Sequence, residues 1–335
     1  MKTISRDRWL QHYGVLIAFV ILFLVNAVWQ PSIFLQPENL KNLINQNCAV
    51  GLISIGMTFV IITGGIDLSV GSMLALAASI GLVALNARVG QGASEGAAVM
   101  VGIAATIGVG TVGGLINGLV IAYGRIVPFV TTLIGLLAFR SMALAIAEGG
   151  EIRSKSAEIF PDLGRGGLPI PFMMNPSGKP VVITWIILIF ISMALVGGFL
   201  LNRTRFGRHV IAIGANERAA VYSGINVRRV KIATYSFAGL CVGLAALAAS
   251  TRMNSVATSS TGLYMELDAI AAVVIGGTSL RGGYGRIWGT FVGVILLGLI
   301  NNMLVLAGVS PYWQGVVKGA IILFAVLLQR GREDV

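Results

Sequence analysis

The chain has 335 residues, 56% of them hydrophobic and 11% charged, with a mean hydropathy of +0.87. A soluble domain carries about 25% charge and 45–50% apolar residues, so an ordinary water-soluble fold is excluded and lipid is the expected solvent. The net charge of +11 would suggest nucleic-acid binding in a soluble protein; in a multi-pass chain it belongs to Lys- and Arg-rich cytoplasmic loops, and no nucleic-acid partner is expected.

Apolar runs predict helices at 14–30, 47–64, 67–87, 97–123, 127–147, 181–202, 231–251, 267–280, 286–308 and 312–329. The expectation is an all-α integral membrane protein of about ten transmembrane helices, forming a single domain over 1–335. A membrane helix needs about 20 mostly apolar residues, so the eighth is too short to span alone. Lys2, Arg6 and Arg8 ahead of the run from Gly14 to Val28 resemble a secretory signal, but no small-x-small site follows before Trp29-Gln30-Pro31. The run is therefore read as a retained first span. In 37–47 (PENLKNLINQN), Leu40, Leu43 and Ile44 share a helical face, which fits either a short interfacial helix or the solvated start of the second span.

Basic residues set the orientation. Of the 24 Lys and Arg, 15 fall on the side of the N-terminus, 7 on the opposite side, and Arg140 and Lys318 lie within spans. The asymmetry predicts cytoplasmic N- and C-termini, and Trp9, Trp29, Trp185, Trp288 and Trp313 lie at predicted span ends, where amphipathic rings prefer the interface. Two long loops remain: 148–180, proline-bearing and expected to be periplasmic, and 203–230, Arg-rich and expected to be cytoplasmic. Cys48 and Cys241 sit in separate apolar runs, and His12 and His209 are isolated, so neither a disulfide framework nor a metal site is read.

One frame occurs twice. GGIDLSVGS (64–72) and GGTSLRGGY (276–284) both follow apolar runs and share Gly-Gly-x-x-Leu-x-x-Gly; GLIN occurs at 114–117 and 298–301, each ahead of a proline, Pro128 or Pro311. The shared order predicts a structural duplication, with 37–147 as the first half and 231–329 as the second. The second and seventh spans run oppositely in this topology, so the halves form an inverted repeat with the pathway between them. Gly64, Gly65, Gly276 and Gly277 are expected to break helices, which membranes tolerate only against protein or a water-filled cavity. Asp67 and Ser279 occupy equivalent places and suit N-caps; Asp67, with Ser69 beside it, could instead line a path. Asn117 and Asn301 could bond a solute hydroxyl or tie helices together, and the glycines at 110, 114, 118, 289 and 293 read as close helix packing. No G-x-x-x-x-G-K-[ST] phosphate loop is present, so energy for transport would arrive on another subunit.

GMTFVIITGGIDLSVGS (56–72), TRFGRHVIAIGANERAAVYSGINVRRVKI (204–232) and ELDAIAAVVIGGTSLRGGYGRIWGT (266–290) resemble the permease subunits of bacterial ABC sugar importers, most of all the ribose-type permeases. The resemblance covers essentially the whole chain. It implies a multi-pass inner-membrane transport subunit, not an enzyme, forming the path for a monosaccharide such as ribose. Implied partners are a second permease copy or related permease, a periplasmic sugar-binding protein, and cytoplasmic ABC ATPase subunits that carry the ATP-Mg; no cofactor or metal is implied on this chain. It also implies an ATPase-coupling helix at Asn216–Gly224, containing Glu217, Ala219 and Ala220 and bounded by Gly214 and Gly224; the competing reading is a basic loop shaped only by orientation. An ion-coupled secondary transporter would want ionisable residues paired across the midplane, and a membrane transferase would want acid clusters; neither pattern is visible.

Overall fold

The computed structural model describes residues 6–175 and 178–330; Lys2, Pro176 and Arg332 lie outside them. α1 (Arg6–Trp29) leads through one turn, α2 (Pro31–Phe34), into α3 (Pro37–Ile62), then α4 (Val70–Gly90), α5 (Glu95–Gly124) and α6 (Pro128–Ile146). Proline opens α2, α3 and α6, where its fixed φ suits a first turn and its missing N–H costs nothing. Residues 37–47 are the first turns of α3, so PENLKNLINQN begins the second long helix and is not a separate interfacial one.

The segment expected as a loop at 148–180 is folded. β1 (Glu151–Arg153) precedes α7 (Ile159–Arg165) and a hairpin of β2 (Gly167–Met174) and β3 (Pro180–Thr184). Glu95, at the start of α5, holds α7 in place: its Oε1 accepts from the backbone N–H groups of Glu158 (2.9 Å) and Ile159 (3.1 Å) and from the Ser156 hydroxyl. α8 (Trp185–Arg203), α9 (Arg205–Ala215), α10 (Glu217–Tyr222) and α11 (Val227–Met253) follow, and β4 (Ser255–Ala257) pairs antiparallel with β1. α12 (Met265–Ile275), α13 (Ile287–Leu306) and α14 (Pro311–Arg330) complete the order. The protein is therefore predominantly helical, with two small sheets that the all-α expectation lacked.

Among the described residues, seven helices are long and apolar enough to cross a membrane: α3, α4, α5, α6, α8, α11 and α13. α3, α4 and α11 form the centre, while α5, α6 and α8 turn exposed apolar faces outward, including Leu133, Ile134, Leu195 and Phe199. A surface of that kind is stable only where the solvent is lipid or a partner. The glycine stripe of α5 packs directly on α11: a Cβ on Gly110 would lie 2.6 Å from the Gly243 nitrogen, and one on Gly114 2.8 Å from the Gly239 Cα. Small residues let these two backbones touch, and dispersion then acts over the whole crossing.

Candidate functional site

The site is built from two interruptions in the helical core and the helix that touches both. α3 ends at Ile62, and the chain closes on itself with Gly64 N–H donating to Ile61 O (2.9 Å) and Gly65 N–H to Val60 O (3.0 Å). This is the closure that needs a left-handed residue after the cap, and Gly64 supplies it with φ +78°. The turn that follows is sealed by neighbours. Asp67 is 1% exposed, and its Oδ1 accepts from the Ser69 N–H (2.8 Å) and the Ser69 hydroxyl (2.6 Å). Asn117 of α5 donates to that hydroxyl at 2.8 Å, and the Thr132 hydroxyl of α6 donates to Ile66 O at 3.2 Å. Asp67 thus closes a local Asx turn, while the N-cap residue of α4 is Ser69 itself.

The second interruption repeats the closure with a shift. Gly277 N–H donates to Val274 O (2.9 Å) and Thr278 N–H to Val273 O (3.2 Å), and the left-handed residue is Gly277, φ +87°. Geometrically Gly64 therefore corresponds to Gly277, one residue out of step with the sequence frame, which paired it with Gly276. The expected equivalence of Asp67 and Ser279 falls with that shift. Ser279 caps no helix among the described residues: its hydroxyl accepts from Arg281 N–H (3.2 Å), and α13 begins eight residues later at Ile287 behind Arg286. Gly276 is small for another reason, since its Cβ would lie 2.5 Å from the Gly289 carbonyl carbon on α13.

The two interruptions meet. Gly283 N–H donates to Ile62 O at 2.9 Å, and a Cβ on Gly214, near the end of α9, would run into both Ile62 O and the Gly283 nitrogen. Beyond this three-way contact Asn216 caps α10 by accepting from Ala219 N–H (3.0 Å), and Glu217 pairs with Lys231 of α11 at 2.8 Å. Ala220 is 4% exposed and packs within the chain, while Gly224 holds φ +78°. Ala220 thus touches its own chain, while Gly224 lies exposed with no atom within 4 Å of where its Cβ would stand. The outward face of α10 is instead Arg218, Ala219, Val221 and Tyr222, the last 91% exposed. A cavity of about 790 Å³ opens beside this helix, lined in part by Arg125, Glu217, Arg228 and Lys231.

The two GLIN asparagines differ. Asn117 ties α5 to the first break, whereas the Asn301 Oδ1 is buried with no partner among the described residues. Two residues gain an importance that sequence reading did not give them. Tyr235 of α11 is 1% exposed and its hydroxyl sits where a Cβ on Gly65 would fall, 2.5 Å away. Arg140 of α6 donates through Nη1 to Thr258 O and Thr261 O, both at 2.9 Å. The only sequence signal for Arg140 was its isolation inside an apolar run. Among the described residues no group of three or more His, Cys, Asp or Glu could hold a metal ion.

Apolar helices of membrane length, interrupted by buried backbone breaks and joined to a polar surface helix, are the make-up of a multi-pass membrane transport subunit. Residues 39–326 match the family described as branched-chain amino acid transport system / permease component. The chain is 44% identical over 336 residues to the ribose import permease protein RbsC of Bacillus subtilis (strain 168), covering 99% of this chain and 97% of that protein. It is 38% identical over 332 residues to RbsC of Escherichia coli (strain K12), covering 97% and 95%. To the xylose transport system permease protein XylH of the same strain it is 33% identical over 362 residues, covering 93% and 90%. The chain belongs to the family of bacterial ABC-importer permeases, among the monosaccharide permeases, and is a multi-pass inner-membrane transport subunit and not an enzyme. No solved structure matches it.

Proposed function

We propose that this chain forms the membrane pathway of an ATP-driven importer for ribose or a closely related monosaccharide. A periplasmic binding protein delivers the sugar, and cytoplasmic ATPase subunits carrying ATP-Mg dock against α10; this chain itself binds no cofactor. The pathway forms between two permeases, either two copies or two related chains. Both termini are cytoplasmic, α1, α12 and α14 join those seven helices to make about ten membrane segments, and 37–147 and 231–329 act as inverted halves. The matching closures at Gly64 and Gly277 support that duplication.

The observation that carries the reading is the contact among Gly214, Ile62 and Gly283. A push on α10 moves the end of α9, and that end is packed on the last carbonyl of α3 and on the loop after α12. Close-packed backbone transmits such displacement because it has no slack to absorb it. ATP-driven closure of the ATPases would thus reach both breaks at once and reorient the two halves. Sparse charge within the spans disfavours an ion-coupled carrier.

The test is co-purification of tagged permease with its ATPase, together with D-ribose uptake. Tyr222→Asp should weaken ATPase retention and uptake together while the permease stays inserted. Full retention and uptake in that variant would remove α10 as the docking helix. For orientation, Phe172→Cys, at a position 94% exposed in β2, should react with an impermeant thiol reagent in intact cells, and Tyr222→Cys should not.

A further inference from the structure

Between the end of α5 and the start of α6 the chain turns at 125–127, and the cavity of about 790 Å³ lies between that turn, α10 and the first turns of α11. Its volume falls in the range of about 300–1,000 Å³ usual for small-molecule sites. Arg125, Arg228 and Lys231 line it, and Glu217 is the single acid in its wall. Lys231 occupies that acid, Nζ to Oε2 at 2.8 Å. Arg228 lies over the Tyr123 ring, 5.5 Å from its centroid. Neither Arg125 nor Arg228 has an ion pair or a side-chain hydrogen bond among the described residues. Two guanidinium charges therefore line the cavity without an anion.

The cavity also stands at a particular depth. α5 and α6 are both of membrane length, so the turn joining them is a span end, the level of lipid headgroups. Tyr123 is exposed there, as interfacial aromatic residues are. Ile126 and Val127 line the cavity and are themselves exposed; Val130, Ile134 and Leu137 carry that exposed apolar face along α6 at helical spacing. A basic hollow thus runs directly into a surface built for hydrocarbon. α11 adds to the imbalance: it opens with Arg228, Arg229 and Lys231 and has no acid in its first turn. Cations at the positive end of a helix repel its dipole, and a bound anion relieves that repulsion.

We propose that this cavity holds the phosphate headgroup of an anionic phospholipid, with an acyl chain lying along Val127, Val130 and Ile134. The Arg125 and Arg228 guanidinium groups donate charge-assisted hydrogen bonds to the phosphate oxygens, and basic pockets between helices at a membrane surface suit such headgroups. A soluble anion would gain nothing from the apolar wall, and an acidic segment of a partner protein would leave the α6 face uncovered. α10 contributes Glu217 and Val221 to the wall, so a bound headgroup braces that helix against α5 and α6. The site requires only that the chain lie in a membrane and is independent of which solute it carries.

The experiment follows thermal unfolding of the full-length permease in detergent while palmitoyl-oleoyl phosphatidylglycerol, the matching phosphatidylcholine or inorganic phosphate is added. A ligand of the folded state raises the melting temperature by mass action. Phosphatidylglycerol should stabilise the parent, and phosphatidylcholine and phosphate should not. The double variant Arg125→Gln, Arg228→Gln should keep the lipid-free melting temperature but need at least tenfold more phosphatidylglycerol for half its effect. Arg205→Gln with Arg208→Gln, exposed on α9 and outside the cavity, should respond as the parent does. An equal response of the parent to the two lipids overturns the site without any variant, so the test survives a double variant that fails to fold. Equal loss in the α9 variant would reduce the effect to surface charge, and stabilisation by phosphate alone would make the ligand a free anion; either result overturns the lipid site. So does an unchanged lipid response in the double variant, or a parent indifferent to lipid whose double variant instead loses the ATPase, which would assign the cavity to that partner. Sugar uptake does not enter these readouts, so failure of the transport reading remains separate.

Discussion

The two helix breaks share a backbone closure and almost nothing else. At the first, the left-handed glycine comes first in the pair, the turn is short, and Asp67, Ser69, Asn117 and Thr132 seal it with side-chain bonds from three elements. At the second, the left-handed glycine comes second, the linker to the next helix is longer, and Ser279 and Tyr284 leave it partly open. The neighbour that forbids a side chain also differs. Gly65 yields to a tyrosine hydroxyl, while Gly276 yields to the backbone of α13 at Gly289. The same motif has thus been used once as a sealed joint and once as a longer, partly exposed loop on which Ile62 of the first break rests.

Substitutions at the four glycines test that contrast most strongly. Gly276→Ala should cost about 3 kcal/mol or more, because overpacking against backbone leaves nothing to rotate away; folded permease in detergent, followed by thermal unfolding, reads the loss. Gly65→Ala should cost about 1–3 kcal/mol, but here Tyr235→Phe should restore most of it, since the clashing hydroxyl has no hydrogen-bond partner among the described residues to lose. Rescue of Gly276→Ala by any single side-chain change on α13, or failure of Tyr235→Phe to rescue Gly65→Ala, would erase the distinction.

A middle-sized effect is expected at Asp67. Asp67→Ala strands the buried Ser69 N–H, and an unmet buried donor costs about 1–3 kcal/mol. Asp67→Asn keeps an oxygen in place of Oδ1 and should retain transport per folded protein. A well-folded but inactive Asp67→Asn would make its charge, and not its turn, the functional element. Smaller still, Gly64→Ala and Gly277→Ala should each cost about 1–2 kcal/mol for forcing L-residues into the left-handed region. Near equality of the two is the expected result, and a difference above tenfold in folded fraction would deny that they are structural counterparts. Ser279→Ala should move the melting temperature least, a shift corresponding to under about 0.5 kcal/mol, because its hydroxyl supports one half-exposed turn bond.

Much of this molecule was legible along the chain. The predicted helices at 97–123, 127–147 and 286–308 are found as α5, α6 and α13, because apolar run length and the prolines and polar residues that end it are local properties. The glycine stripe on α5 was legible as close packing for the same reason, although its partner on α11 was not. Equally local was the capping of the short helix at Asn216, which needs only an oxygen three residues ahead of a free N–H.

The rest was decided in three dimensions. Which glycine of each pair turns left-handed depends on where the preceding helix stops, Ile62 at one break and Ile275 at the other, and Tyr235 and Gly289 stand where a Cβ on the other glycine would clash. Ala220 looks like a small surface residue in sequence, yet it is buried against its own chain. Arg140 finds its acceptors 118 and 121 residues away, a pairing that no local pattern encodes. Sequence alone determined where the long apolar helices run and near which glycine pairs they break, since hydrophobicity and backbone preference act over a few residues; only the tertiary structure decided how 148–180 folds and what each break touches, because a contact belongs to two distant segments at once.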